Sequence, residues 1–324
     1  MQATAQAQPN IALVKYWGKR DQSRNLPAVP SLSITLDTLW TQTRVAFEPG
    51  LEADRFSLNG NAEPAHLARV SATLDRLREL AGCGHSAVVE SVNNFPTNAG
   101  LASSASGFAA LVTAGCAALG LEFGPGQRSR LARLASGSAA RSIFGGFVEM
   151  PLDPHNDDLA MSLLEAAAWP LQVVVAVTSR AEKPTGSRAG MLQSAASADF
   201  YPAWVETTPR DFQQARAAVL GRDFSRLSEI SEHSCLKMHA VMLSARPGLV
   251  YWNSATVDCL HRIRELRRRG NAVFFTVDAG PQIKAVCLPE HRDHTARALA
   301  EIPGVLEVIS SGLGAGAQLL PAIP

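Results

Sequence analysis

The segment Phe95-Pro96-Thr97-Asn98-Ala99-Gly100-Leu101-Ala102-Ser103-Ser104-Ala105-Ser106-Gly107 is made of small and hydroxyl side chains and runs straight into the helical pattern Phe108–Leu119. A helix start built this way leaves bare backbone N–H groups at the positive end of the helix dipole, so it can seat a phosphate chain. The same residues also suit a plain capped helix packed through small side chains, because Ser and Gly are favoured at helix starts. Lys19-Arg20-Asp21 reads by itself as an exposed charged turn. Asp278 follows the apolar run Val273–Val277 and precedes Ala279-Gly280-Pro281, where a strand should end and a turn can present a carboxylate. A turn-capping role fits it as well. Arg141, in Ser136-Gly137-Ser138-Ala139-Ala140-Arg141, reads by itself as a surface arginine behind a helix cap. Two familiar nucleotide motifs are missing. Gly18-Lys19 lacks the upstream glycine of a P-loop, and Gly312, Gly314 and Gly316 miss the dinucleotide fingerprint spacing.

These residues need elements to hold them. Strand patterns cover Ile11–Tyr16, Ser31–Leu36, Thr41–Phe47, Ala87–Ser91, Leu171–Thr178, Val273–Val277 and Ile283–Leu288. Helical periodicity marks Ala65–Ala81, Ser104–Leu119, Gln127–Ala135, Arg210–Leu220, Asp223–Ala240, Ser254–Arg269 and Arg292–Ile302. Strands and helices do not alternate strictly, so the class is α+β rather than a doubly wound sheet. The polar stretch Ser179–Arg188 marks a boundary near residue 180, giving units 1–180 and 181–324. With 324 residues and 46% hydrophobic side chains the chain can bury a substantial core.

Charge and cysteines narrow the function classes. The net charge of +1 removes the global argument for nucleic acid or an anionic membrane, so an anionic ligand must be met by particular residues. The five arginines of Arg262–Arg269 read as a basic helix end, favourable with the dipole, rather than a nucleic-acid patch. Met1–Asn10 has no basic or apolar core for a secretory signal, and no apolar run approaches a membrane span, so a cytoplasmic protein is expected. Cys83, Cys116, Cys235, Cys259 and Cys287 are scattered without a C-x-x-C pair and read as reduced packing residues.

Pro96 to Ser106 resembles the phosphate loop of the GHMP kinase superfamily. More narrowly, Asn10-Ile11-Ala12-Leu13-Val14-Lys15-Tyr16-Trp17-Gly18-Lys19-Arg20-Asp21, with Leu26-Pro27 and Ser31-Leu32-Ser33, resembles the N-terminal signature of the diphosphomevalonate decarboxylase family. Further blocks agree in order and spacing: Asn93-Asn94-Phe95-Pro96-Thr97, Ser136–Ser142 with Gly145-Gly146-Phe147, Ser187-Arg188-Ala189-Gly190-Met191, and Thr276–Pro281. The resemblance implies a GHMP kinase fold, with a ribosomal-protein-like N-terminal domain, a ferredoxin-like α/β C-terminal domain and an active site in the cleft between them. It also implies a homodimer, ATP and Mg2+ as cofactors, and a phosphorylated mevalonate as substrate.

By that resemblance Tyr16, Lys19, Ser187 and Arg188 bind the substrate diphosphate, with Lys183 nearby in the same polar segment. Arg141 contacts the substrate carboxylate, with Ser136 and Ser138 lining the pocket, and Asp278 lies catalytically at the 3-hydroxyl. Gly100, Ser103, Ser104 and Ser106 match the ATP phosphate loop, and Asn10 and Lys15 add binding and charge. No His cluster points to a transition metal, and Mg2+ is expected to arrive with ATP. Lys15 and Arg141, if close to Asp278, should lower its pKa and weaken it as a base. Gly312-Leu313-Gly314-Ala315-Gly316-Ala317-Gln318 resembles the family's terminal glycine loop packed against the site, and a plain C-terminal turn explains it as well. Ala140, Met150 and the shorter Asp153–Pro170 region depart from the family pattern. Alternatives are a monophosphate decarboxylase, a mevalonate 3-kinase and a ligand sensor without catalysis. A nucleic-acid binder is a further alternative, since the first half of this fold resembles a ribosomal-protein domain.

Overall fold

The computed structural model describes residues 1–95, 103–153 and 159–321. Its first half rests on a six-stranded sheet in the order Gln318–Leu320, Gln2–Ala7, Thr41–Glu48, Ser86–Asn93, Arg55–Leu58, Asn61–Ala62. Only Arg55–Leu58 against Ser86–Asn93 pairs in parallel. Ala5, Ala7, Val45, Phe47 and Val89 pack on the helix Ser103–Ala118. That helix is apolar on every side because the helices Pro64–Ala81 and Pro125–Ala135 pack on it as well. The strand Gln2–Ala7 was not expected from the sequence, since it carries only alanine as apolar residue. Alternating Ala with Gln and Thr suffices here because small side chains let the alanine-rich helix lie close on the sheet.

A second sheet, in the order Met161–Leu164, Phe147–Met150, Ser31–Thr35, Asn10–Val14, is wholly antiparallel. A third runs Val273–Val277, Ile283–Cys287, Gln172–Val177, Glu307–Ser311, again antiparallel. Both faces of the strands Val273–Val277, Ile283–Cys287 and Gln172–Val177 are buried, which explains their near-continuous apolar runs. Val174, Ala176, Phe275, Ile283 and Ala285 meet the helices Ser254–Arg268 and Arg292–Ala300. On the other face Val173, Val175, Phe274 and Val286 share one core with Ile11, Leu13 and Ile34 of the second sheet. Phe212 and Leu227, from the helices Tyr201–Gly221 and Phe224–Leu243, complete that core. The strand Gln172–Val177, ahead of the expected change-over near residue 180, therefore pairs with the later strands, while Gln318–Leu320 returns to the first sheet.

The helix expected at Arg210–Leu220 begins at Tyr201 and continues through Pro209. Proline removes one helical hydrogen bond, but Trp204, Thr208 and Phe212 are all buried around it and hold the turn by packing. The basic stretch on Ser254–Arg268 is largely engaged within the protein. Arg267 forks onto Glu232 at 2.8 and 3.1 Å, Arg262 reaches Glu301 at 3.4 Å, and Arg264 lies over Phe275. All five cysteines are free thiols, and all but Cys83 are buried. No helix among the described residues is long and apolar enough to cross a membrane.

Candidate active site

A cleft of about 330 Å³ lies where the two halves meet. The first half lines it with Asn10, Lys15, Tyr16, Lys19, Arg69, Ser103, Ser104, Ser136, Ser138 and Arg141. The second half contributes Lys183, Ser187, Arg188 and Asp278. Among the described residues lining it are six cations and one carboxylate, so a chain of nearly zero net charge concentrates positive potential in one place.

At its floor the carboxylate of Asp278 is held by two ammonium groups. Lys15 Nζ lies 2.6 Å from Oδ1, and Lys284 Nζ lies 3.2 Å from Oδ2. Lys15 directly follows the strand Asn10–Val14, whose pairing slips register between Ala12 and Val14. Asp278 is the first residue after the strand Val273–Val277, in a tight turn in which Gly280 N donates to Asp278 O at 2.7 Å. Burial alone would raise the Asp278 pKa, but the Lys15 and Lys284 ammonium groups outweigh it and hold the carboxyl well below the usual carboxylate range. The carboxylate is therefore ionised and a weak base.

Arg141 is fully buried on the four-residue helix Ala139–Ser142. Its Nη1 donates to Ser31 Oγ at 2.7 Å and its Nε to Ser33 Oγ at 3.1 Å, both from the strand Ser31–Thr35. Burial lowers its pKa to about 10, against the raising effect of Tyr16 and Asp278, so it stays charged at neutral pH. A guanidinium has five donors, which leaves capacity for a ligand carboxylate. The ring of Tyr16 lies under Arg141, with 5.6 Å from the guanidinium carbon to the ring centroid. Burial pushes the Tyr16 hydroxyl up to about 12, keeping it a neutral donor. Gly137 is required beside it, since a Cβ there would lie 2.1 Å from the Tyr16 hydroxyl oxygen.

Only one member of the charged triplet enters the cleft. Lys19 Nζ donates to Asn25 Oδ1, while Arg20 donates to Pro27 O and Asp21 accepts from Ser23 and Arg24 to close the turn. Burial, then the nearby Arg188 and Arg69, lower the Lys19 pKa to about 8. Ser187 and Arg188 open the helix Ser187–Ser197, and Lys183 Nζ donates to Ser187 Oγ at 2.8 Å and to Ala279 O at 3.1 Å. Ser136 and Ser138 hydroxyls lie 3.3 Å apart on the cleft wall.

The phosphate-loop residues divide. Gly100 lies outside the described residues. Ser103 and Ser104 stand at the cleft, but Ser106 turns into the protein and bonds Thr41 Oγ1 at 2.7 Å. Asn10 lines the cleft yet spends its amide on Ser138 O and Ser142 Oγ, bracing the short helix that carries Arg141. The glycines Gly314 and Gly316 pack behind that helix. A Cβ on Gly316 would meet Ile143 O at 2.2 Å, and one on Gly314 would meet Leu36 O at 2.2 Å. Ala140 and Met150 are buried with Val148 and Ala160 in a small cluster against Tyr16.

Sequence reasoning missed three features. Arg69, on the helix Pro64–Ala81, lines the cleft over the Phe108 ring, where burial, then Arg188, lower its pKa. An apolar pocket walled by Phe56, Leu58, Val70, Val89, Phe108 and Leu111 adjoins the cleft and shares Ser103, Ser104, His66 and Arg69 with it. Its walls come from four separate elements, so no local pattern announces it. Lys284 did leave a signal, a lysine in the middle of the buried strand Ile283–Cys287. No group of three or more His, Cys, Asp or Glu side chains among the described residues forms a metal site.

Comparison with known proteins places this arrangement. A family profile described as diphosphomevalonate decarboxylase-like N-terminal domain matches residues 7–161, and one described as mevalonate 5-diphosphate decarboxylase C-terminal domain matches residues 173–310. The diphosphomevalonate decarboxylase of Candida albicans is 35% identical over 98% of this chain and 97% of its own. The phosphomevalonate decarboxylase of Haloferax volcanii is 33% identical over 99% and 98%. Among solved structures, mevalonate diphosphate decarboxylase from Enterococcus faecalis superposes with a TM-score of 0.90 at 36% identity, covering 99% of both chains. A structure described as MDDEF in complex with MVAPP, AMPPCP and magnesium has a TM-score of 0.92 at 36% identity, again over 99% of both.

Proposed function

The chain belongs to the diphosphomevalonate decarboxylase family, and from that premise we propose that it is an ATP-dependent decarboxylase with the GHMP kinase fold, converting (R)-5-diphosphomevalonate to isopentenyl diphosphate. The observation that carries the reading is an ionised Asp278 held between Lys15 and Lys284 at the floor of a cleft lined with cations. Hydroxide is too poor a leaving group for direct elimination. Transfer of the ATP γ-phosphoryl group to the tertiary 3-hydroxyl forms a new O–P bond as the bond from the γ-phosphorus to the ADP oxygen breaks, and the hydroxyl proton is released to solvent with ADP. The C3–O bond then breaks with its electron pair leaving on phosphate, while the C1–C2 pair becomes the C2–C3 double bond and CO2 departs.

In this reading Tyr16, Lys19, Ser187 and Arg188 hold the diphosphate. Arg141, with Ser136 and Ser138, holds the carboxylate. Strong attraction to the ground-state carboxylate would oppose its loss, so Arg141 positions the group rather than pulling CO2 away. Asp278 orients the 3-hydroxyl and stabilises the positive charge that develops at C3 as the C–O bond opens. Its depressed pKa favours this role over that of general base. The apolar pocket beyond Ser103 and Ser104 suits the nucleotide base, with Gly100, Ser103 and Ser104 along the phosphates, Lys15 neutralising charge, and Asn10 and Ser106 fixing the framework. Serine hydroxyls without a carboxylate cluster fit a Mg2+ that arrives on ATP and keeps its waters. When bound, that ion neutralises the phosphoryl oxygens undergoing transfer.

The same reading takes residues 1–180 and 181–324 as the two units, a homodimer as the assembly and the cytoplasm as the location. A monophosphate substrate is the second reading, supported by the Haloferax volcanii relative. ADP and CO2 release, measured in parallel with mevalonate, 5-phosphomevalonate and 5-diphosphomevalonate, separates the possibilities. Equal release from the diphosphate alone is the expected outcome. The same stoichiometry from the monophosphate moves the substrate, and ADP without CO2 makes the chain a kinase.

A further inference from the structure

We propose that Lys284 is a positioning residue, fixing the Asp278 carboxylate from beneath so that its remaining lone pairs face the cleft. Lys284 sits in the strand Ile283–Cys287, opposite Val175 and Thr276. Val175 belongs to the core shared between the two halves, so Lys284 projects toward that shared side while Ile283 and Ala285 face the outer helices. An ammonium in such a place is costly unless it meets a counter-charge. Its Nζ lies 3.2 Å from Asp278 Oδ2, on the opposite carboxylate oxygen from Lys15. Rotation of the carboxylate would break both contacts at once. Both lysine side chains are 1% exposed while that of Asp278 is 25% exposed, so of the three groups Asp278 is the most open to the cleft. Lys284 does not line the cleft and acts through Asp278.

Other groups face Asp278 too. Lys183 comes from the segment before helix Ser187–Ser197, Arg141 from the short helix, and Cys235 and His239 from the helix Phe224–Leu243. Burial pushes the Cys235 thiol up and the His239 imidazole down to about 3, so both are neutral at working pH. Lys284 is therefore the second of two ammonium groups within 4 Å that hold the carboxyl ionised against its burial. Removing it leaves Lys15 alone against the desolvation that favours the protonated acid, so the carboxyl pKa moves up.

The test compares wild type, Lys284→Met and Lys284→Arg by steady-state kinetics across pH, and by 13C NMR of aspartate carboxyls in the unliganded enzyme, with D278N for assignment. Lys284→Met is expected to lower kcat about 10- to 100-fold with both KM values nearly unchanged, the size expected of a misplaced group. Its Asp278 carboxyl should titrate at a higher pH than the wild-type carboxyl, carrying the acid limb of kcat up with it, while Lys15 still opposes protonation. Lys284→Arg should keep the carboxyl ionised and recover part of kcat. Wild-type kcat in Lys284→Met, a loss carried by KM, or an unmoved Asp278 titration overturns the proposal. Should Lys284→Met fail to fold, the same readings on Lys284→Arg decide: kcat below wild type with both KM values unchanged upholds the proposal, and wild-type kcat or a loss carried by KM overturns it. The inference rests on the decarboxylase reading for its kinetics alone; absence of ADP release from wild type would sink that reading and leave the carboxyl titration to decide this one.

Discussion

Asp278 and Lys19 illustrate how burial acts in opposite senses on acids and bases, and how neighbours decide the result. At Asp278 two ammonium groups override desolvation, so the carboxylate is present as an anion throughout the working range. Replacing it by Asn removes the charge, keeps the shape and leaves Lys15 and Lys284 buried without their counter-ion. Asp278→Asn is expected to lower kcat by about 10²–10⁴-fold with the KM for ATP little changed, as followed by ADP release. A near-native rate would sink the orienting and basic roles alike. At Lys19 desolvation and the Arg188 and Arg69 charges all act in one direction, lowering the pKa to about 8. The phosphate binds the ammonium form, which prevails below that pKa and is lost above it, so substrate KM is expected to climb as pH rises past about 8. Lys19→Arg keeps its charge and should move that alkaline limb upward; identical KM profiles for the two enzymes would remove Lys19 from substrate binding.

Among elements, the short helix that carries Arg141 depends on what is packed behind it. Asn10 ties it to the strand Asn10–Val14, and the glycines Gly314 and Gly316 wedge against Leu36 and Ile143 with no room for a methyl group. A backbone carbonyl cannot swing aside as a side-chain tip can. Gly316→Ala is expected to destabilise the fold by about 1–3 kcal/mol in denaturant unfolding and to reduce kcat as well, since Ile143 directly follows the Arg141 helix. Gly126 is the contrast, a helical glycine with nothing within 4 Å of an added Cβ. Gly126→Ala should be neutral or stabilising by up to about 1 kcal/mol, with kcat unchanged. If the two variants behave alike, the wedge has no special part in holding Arg141. Element positions were legible in the sequence where burial is one-sided or complete: Val273–Val277 matches residue for residue, and other expected strands differ by one or two residues at their ends. Phe147–Met150 and Glu307–Ser311 were not expected, because four or five residues carry too little periodicity until their sheet neighbours are known.

At the scale of the whole molecule, one core joins the halves. The inner face of the third sheet, the second sheet and the helices Tyr201–Gly221 and Phe224–Leu243 bury their apolar side chains together, and Gln318–Leu320 carries the chain end back to the first sheet. Neither half can bury its surface alone, so thermal unfolding should be a single cooperative transition with matching calorimetric and van't Hoff enthalpies. Two resolved transitions would show that the halves unfold independently and that the cleft can open without loss of the core.

The order of small residues leading into helix Ser103–Ala118, the apolar strand ending at Asp278 and the near-zero charge are properties of the chain itself. With the family signature at Asn10–Asp21, they determined the class and most of the residues lining the cleft. Local sequence carries side-chain type and periodicity, which is enough to say that Asp278 is presented at a strand end. It does not carry distance between residues far apart in the chain. That Lys15 meets the Asp278 carboxylate, 263 positions away, was decided by the packing of the second sheet on the third, while Lys284, 6 positions on, reaches it across a hairpin of the third sheet. Packing of the helices Pro64–Ala81 and Ser103–Ala118 on the first sheet turned Ser106 inward to Thr41, brought Arg69 to the cleft and made the apolar pocket beside it. Charge in water is weak and charge under a protein surface is strong, so the chemistry of these residues depends on who buries them, and only the tertiary structure decides that.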